Sequence, residues 1–143
     1  MNTKSHGVFS LGLIGIAIAI AAISACSKSL LLCFGYLFFS LLSFAIIAVG
    51  YCAKCPCKNH CPHVLPGVLA NKIKRQIAPY TKLELAGLLT ALVILLILPN
   101  IWLWHSLTLS VIYWLIILIA IIEIRKFICK PCGNIHCPLN KNI

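Results

Sequence analysis

The chain has 143 residues, 62% of them apolar, with 12 Lys and Arg against 2 acids. Its mean hydropathy of +1.04 is too high for a soluble domain, about a quarter of whose residues are charged. A polycation that works on phosphates also keeps its charges on a solvated face, whereas these lie outside long uncharged runs, so composition excludes a disordered chain and a nucleic-acid partner and points to the lipid bilayer.

Four runs, residues 8–25, 30–51, 85–103 and 107–122, contain no charged residue. Each reaches or nearly reaches the roughly 20 helical residues that cross about 30 Å of hydrocarbon. The expected fold is all-α: an integral membrane protein of four transmembrane helices, arranged as two tandem hairpins. The units are residues 1–63, a linker at 64–82, and residues 83–143. Pro99-Asn100 favours a turn and Trp102, Trp104 and His105 suit an interface, so the break between the last two runs falls within 99–106.

In the first run Gly12, Gly15, Ala19, Ala22 and Cys26 make a face of small residues of the kind that lets membrane helices approach closely. The second offers Cys33, Tyr36, Ser40, Ser43 and Gly50 along one stripe, and a tight pair of helices is expected. Lys4 followed by an apolar stretch and Ile23-Ser24-Ala25-Cys26 also resembles a lipoprotein signal ending at Cys26. Against cleavage stands an internal repeat, in which the first run has a counterpart that cannot be a signal.

The repeat is carried by two motifs, Cys52-Ala-Lys-Cys55-Pro-Cys57-Lys-Asn-His60-Cys61-Pro62 and Cys129-Lys-Pro-Cys132-Gly-Asn-Ile-His136-Cys137-Pro138, offset by 77 residues. Each follows an even-numbered run, so the repeated unit is two helices plus a thiol motif, and the copies are expected to be related by an axis along the membrane normal. Between them, residues 64–78 place Leu65, Val68, Leu69, Ile73 and Ile77 near one helical face beside Lys72, Lys74 and Arg75, the pattern of a basic helix lying in the interface. Thr81-Lys82-Leu83-Glu84 fits a capping box. The second acid, Glu123, is expected to pair with Arg125 and Lys126.

Lys4, the bases from Lys54 to Lys82 and those from Arg125 to Lys141 fall on one side, with Lys28 alone on the other. The positive-inside rule then puts both termini and the middle loop in the cytoplasm of a cell (inner or plasma) membrane. Cytosol keeps thiols reduced, so Cys52, Cys55, Cys57, Cys61, Cys129, Cys132 and Cys137 argue for metal or redox chemistry over structural disulfides. Two residues between cysteines let both sulfurs face one ion, and two such pairs supply four thiolates at about 2.3 Å from tetrahedral zinc. The 73 residues separating Cys55 from Cys129 would be returned to the same face by a membrane hairpin. The leading set is Cys52, Cys55, Cys129 and Cys132, with Cys57, Cys61, Cys137 and His63 completing it or forming a second site. His60 and His136, each adjacent to a cysteine, suit supporting roles, because neighbouring side chains point apart.

The first motif resembles the bacterial ferredoxin run C-x2-C-x2-C-x3-C-P, with one residue fewer between its second and third cysteines; the resemblance implies an iron-sulfur cluster as the rival to zinc. Cys26 and Cys33 flank the first turn, either as small packed residues or as an outer disulfide. As a disulfide they would make the chain similar in architecture to small four-helix membrane thiol oxidoreductases and mercury-uptake proteins, though it lacks an outer C-x2-C and a cysteine pair inside the first run. The sequence thus points to binding rather than catalysis, as a structural or docking module or an electron-transfer module facing a cytoplasmic protein or redox partner. The alternative is thiol-disulfide exchange or soft-metal carriage. The runs hold no ionisable group for proton-coupled transport and no histidine pair for haem.

Overall fold

The computed structural model describes residues 3–56, 61, 63–73, 75–76, 78–130, 132 and 134, with Val64 in backbone only. The described residues are helical with no strand: α1 (Thr3–Cys26), α2 (Leu30–Ile46), α3 (Val64–Lys72), α4 (Lys82–Leu96), α5 (Asn100–Leu103) and α6 (Leu107–Glu123). With their continuations they give four helices long and apolar enough to cross a membrane: Thr3–Cys26, Leu30–Lys54, Lys82–Leu103 and Leu107–Cys129.

α1 packs against α6 and α2, and α2 packs against α4, while α4 and α6 meet sparsely. The core is small and central, with Ala17, Ala21, Ala25, Tyr36, Trp102, Leu103, Tyr113 and Ile117 buried together. Large aliphatic and aromatic side chains such as Leu31, Phe38, Leu41, Leu89 and Leu115 point outward instead. Water would penalise that surface at roughly 25 cal/mol per Å², whereas hydrocarbon does not.

The face of α1 that packs matches the expected one only at Ala22. Gly7, Ser10, Ala17, Ala21, Ala22, Ser24 and Ala25 are buried, while Gly12, Gly15, Ala19 and Cys26 are exposed and the space beside both glycines is open. α1 carries small residues on more than one side, so their spacing does not select the buried stripe; its two neighbours do. On α2 the expected stripe is buried at Cys33, Tyr36, Ser40 and Ser43. Beyond it the backbone widens into a π-helical turn, Ile47–Tyr51, which shifts the phase and buries Ala48 in place of Gly50.

The offset of 77 residues recurs in the backbone. α6 matches α2 end for end, and Ile124–Cys129 is π-helical as Ile47–Tyr51 is. Tyr36 and Tyr113, one offset apart, are both buried. The α1–α6 and α2–α4 contacts are equivalent under the same offset, and each holds a ring stack and a carboxylate contact near the cysteine motifs. His6 stacks on Phe127 at 4.1 Å and pairs with Glu123 at 2.8 Å; Tyr51 stacks on Tyr80 at 4.5 Å and Lys54 pairs with Glu84 at 2.8 Å.

The break after α4 has local causes. Pro99 brings no N–H and cannot continue a helix interior, and Asn100 Nδ2 donates to the Leu96 and Ile97 carbonyls at 3.1 and 2.9 Å. After α5 the chain turns at Trp104 and His105 into α6, within the expected interval. Trp102 Nε1 donates to the Ala21 carbonyl at 2.9 Å and its ring meets Tyr36 edge-on at 5.3 Å, fastening this end of the second copy to α1.

Candidate metal and thiol site

Each even-numbered span ends its π-helical turn at a C-x2-C pair, and both pairs close in the same way. Cys55 N–H donates to the Cys52 carbonyl at 3.1 Å, and Cys132 N–H to the Cys129 carbonyl at 3.2 Å. One such turn places the two cysteines of a pair side by side. Cys52 also lies within electrostatic reach of Cys55 and Cys61. Cys52, Cys55, Cys61, Cys129 and Cys132 all carry thiols outside any disulfide.

The two motifs meet through Asn134, which is 1% exposed. Its Nδ2 donates to Cys55 Sγ at 3.5 Å and to the Tyr80 hydroxyl at 3.2 Å. A buried amide satisfied by a sulfur from the other copy, 79 positions away, is a contact hidden from sequence reading. Among the described residues, no three of His, Cys, Asp and Glu stand close enough together to hold a metal ion. Of the expected ligands, Cys57 and Cys137 lie outside the described residues, as do His60 and His136.

His63 caps the start of α3 in extended conformation. Its Nδ1 is buried with no hydrogen-bond partner among the described residues. Burial holds the imidazole pKa below its usual value, opposed by the Gly7 backbone, so the ring is neutral at pH 7 and keeps a lone pair for an electrophile.

α3 is shorter than expected, ending at Lys72, where Ile73 turns extended. It packs Pro66, Gly67 and Ala70 inward and leaves Leu65, Val68 and Leu69 exposed. Arg75 is drawn inward: Nη1 donates to the Val49 carbonyl at 3.0 Å and Nη2 to Glu84 Oε1 at 2.6 Å. Glu84 thus binds Lys54 and Arg75 while completing the capping box with Thr81. One carboxylate ties the end of α2, the linker and the start of α4 beneath the first motif. The other acid corrects the sequence reading: Glu123 contacts His6 Nδ1 at 2.8 Å, from the neighbouring α1.

At the opposite end of the helices Cys26 and Cys33 form a disulfide with a Cα–Cα distance of 4.5 Å. Cys33 is buried and Cys26 exposed. Comparison with known families, curated proteins and solved structures finds no match to this chain, so the functional reading rests on these contacts alone.

Proposed function

We propose that this is an integral membrane protein of two tandem helical hairpins, with its motif end in the cytoplasm, that binds a thiophilic ion through cysteines contributed by both copies. Zinc leads and an iron-sulfur cluster is the rival. What supports the reading is the pair of matching C-x2-C turns, joined through the Asn134–Cys55 contact, since two C-x2-C pairs supply the four thiolates of a tetrahedral site. His63, whose buried Nδ1 has no hydrogen-bond partner among the described residues, is the nitrogen donor this reading adds. Among the described residues no three ligands stand together, so in this reading the ion gathers them as it binds, and its binding free energy becomes folding free energy. A structural or docking role follows for zinc, an electron-transfer role for a cluster.

The test is metal content and visible absorbance of protein purified without oxygen in mild detergent. One or two zincs per colourless chain support the leading form; iron with sulfide and broad visible absorbance supports the cluster; neither metal, with the motif thiols titratable, refutes the proposal. A second reading, thiol-disulfide exchange, is favoured by the Cys26–Cys33 disulfide. In that reading a partner thiolate attacks exposed Cys26 and expels the Cys33 thiolate. In a Cys33→Ser chain the Cys26 thiolate attacks a disulfide-bearing partner and expels one partner thiolate, so trapping that mixed disulfide supports the reading; recovery of unmodified Cys26 after exposure to the oxidised partner excludes it.

A further inference from the structure

Where α2 runs through its π-helical turn past the start of α4, the two helices leave a groove of about 390 Å³ lined by Ile46, Val49, Gly50, Leu83, Glu84 and Gly87. Its size falls within the roughly 300–1,000 Å³ of pockets that hold small molecules. Glycine makes it: a Cβ at Gly50 would meet nothing within 4 Å, and one at Gly87 only Ile46 Cγ2 at 3.5 Å. The other copy is closed at the same level. The offset of 77 residues relates Gly50 to Phe127 and Leu83 to His6, and there the phenyl ring stacks on the imidazole at 4.1 Å. The α2–α4 contact therefore lacks a ring that its repeat supplies, and Leu83, 83% exposed, does not close the gap.

The mouth of the groove is basic. Lys54 and Arg75 share Glu84, two cations on one carboxylate, and Lys82, next to Leu83, is exposed. The Arg75 guanidinium also donates to the carbonyl of Val49, a lining residue, at 3.0 Å. An apolar slot that ends in excess positive charge matches a molecule with a hydrocarbon chain and an anionic head. We propose that this groove binds one acyl chain of an anionic phospholipid, whose phosphate meets the excess positive charge of the Lys54–Glu84–Arg75 group and of Lys82. The site rests on the reading that the four helices span a bilayer and needs no ion at the cysteine motifs. A chain seated there does for α2 and α4 what Phe127 does for α6 and α1.

The test is native mass spectrometry of the delipidated full chain in mild detergent, titrated with phosphatidylglycerol or with phosphatidylcholine of the same acyl chains. The wild type should retain one phosphatidylglycerol per chain and prefer it to phosphatidylcholine by about fivefold or more, since each base near an anionic surface is worth about that factor. Lys82→Gln should weaken phosphatidylglycerol about fivefold and leave phosphatidylcholine unchanged. Gly50→Phe, which places in the groove the side chain of the matching position in the other copy, should abolish retention of both lipids in a chain that melts no lower than the wild type; Lys82→Gln, at an exposed side chain, keeps the test decisive where it melts lower. Equal binding of the two lipids by the wild type, undiminished retention by Gly50→Phe, or a dimer of this chain in place of the lipid adduct would each overturn the proposal and leave the four spans standing. Recovery of the chain from the soluble fraction without detergent would overturn the membrane reading with it.

Discussion

The disulfide separates a staple from a working bond by its magnitude. Cys26 and Cys33 are seven apart in sequence and close a ring of eight residues, for which loop-closure entropy gives about 2.5 kcal/mol at 25 °C. That figure is a ceiling here. The turn is already held by Ser27 N–H on the Ile23 carbonyl and by Lys28 and Ser29 N–H on that of Ala25, each at 3.0 Å. A membrane protein losing its tertiary contacts also keeps its inserted helices, so its reference state has little loop freedom left to restrict. Replacing both cysteines by serine should cost less than about 1 kcal/mol by this reasoning. Unfolding in mixed micelles with rising dodecyl sulfate, followed by the emission of buried Trp102 at that end, measures it, with the reduced wild type as control. A loss above about 2.5 kcal/mol refutes the argument and makes the bond a structural staple. A small loss with unchanged metal content leaves a bond whose exposed and buried sulfurs suit exchange better than support.

Three further outcomes are expected. An impermeant maleimide should reach Cys55, Cys61 and Cys132 only after the membrane is opened; labelling from outside intact cells would reverse the orientation and remove the argument from a reducing compartment. On the proposed reading, in which one ion is shared between the copies, Cys52→Ser and Cys129→Ser should each abolish zinc binding and lower stable protein together; loss on one side alone would refute a shared site. His6→Phe retains a ring on Phe127 but strands the Glu123 carboxylate, costing about 1–3 kcal/mol, which Glu123→Gln in the same chain should partly recover in the same unfolding assay.

The four helices were legible because uncharged runs of this length have one solution in lipid, and the capping box because its chemistry is local. The repeat was legible in its cysteines and extends further than they showed, to the π-helical turns and the buried tyrosines. What sequence could not give are partners chosen by packing. Glu123 has two bases within three residues yet binds His6, 117 positions away, because α1 rather than the helix's own continuation lies against it. The packing face of α1 was missed for a related reason: alanine, serine and glycine occupy several sides, and only the neighbours decide which is covered. Asn134 carries one available signal, the replacement of Cys57 by an amide at the same register. That becomes meaningful only once the two copies are known to touch.

The tyrosines show how the copies diverge around a shared position. Tyr113 Oη donates to the Leu95 carbonyl at 2.9 Å, an acceptor released because Pro99 ends the helix there and leaves carbonyls of its last turn without intrahelical donors. Tyr36 faces α1, where the helix runs unbroken to Cys26 and releases no such carbonyl. Its hydroxyl finds no partner within hydrogen-bond geometry among the described residues, and neither do the hydroxyls of Ser40 and Ser43 below it. Tyr113→Phe should therefore cost about 1 kcal/mol, whereas Tyr36→Phe, which removes a buried hydroxyl with no well-formed hydrogen bond among the described residues, should be neutral or stabilising. Equal losses at both positions, measured by the same micellar unfolding, would show that Tyr36 is satisfied, by Ser40 or by water. In the second case the hydroxyl stripe below the disulfide is hydrated rather than dry.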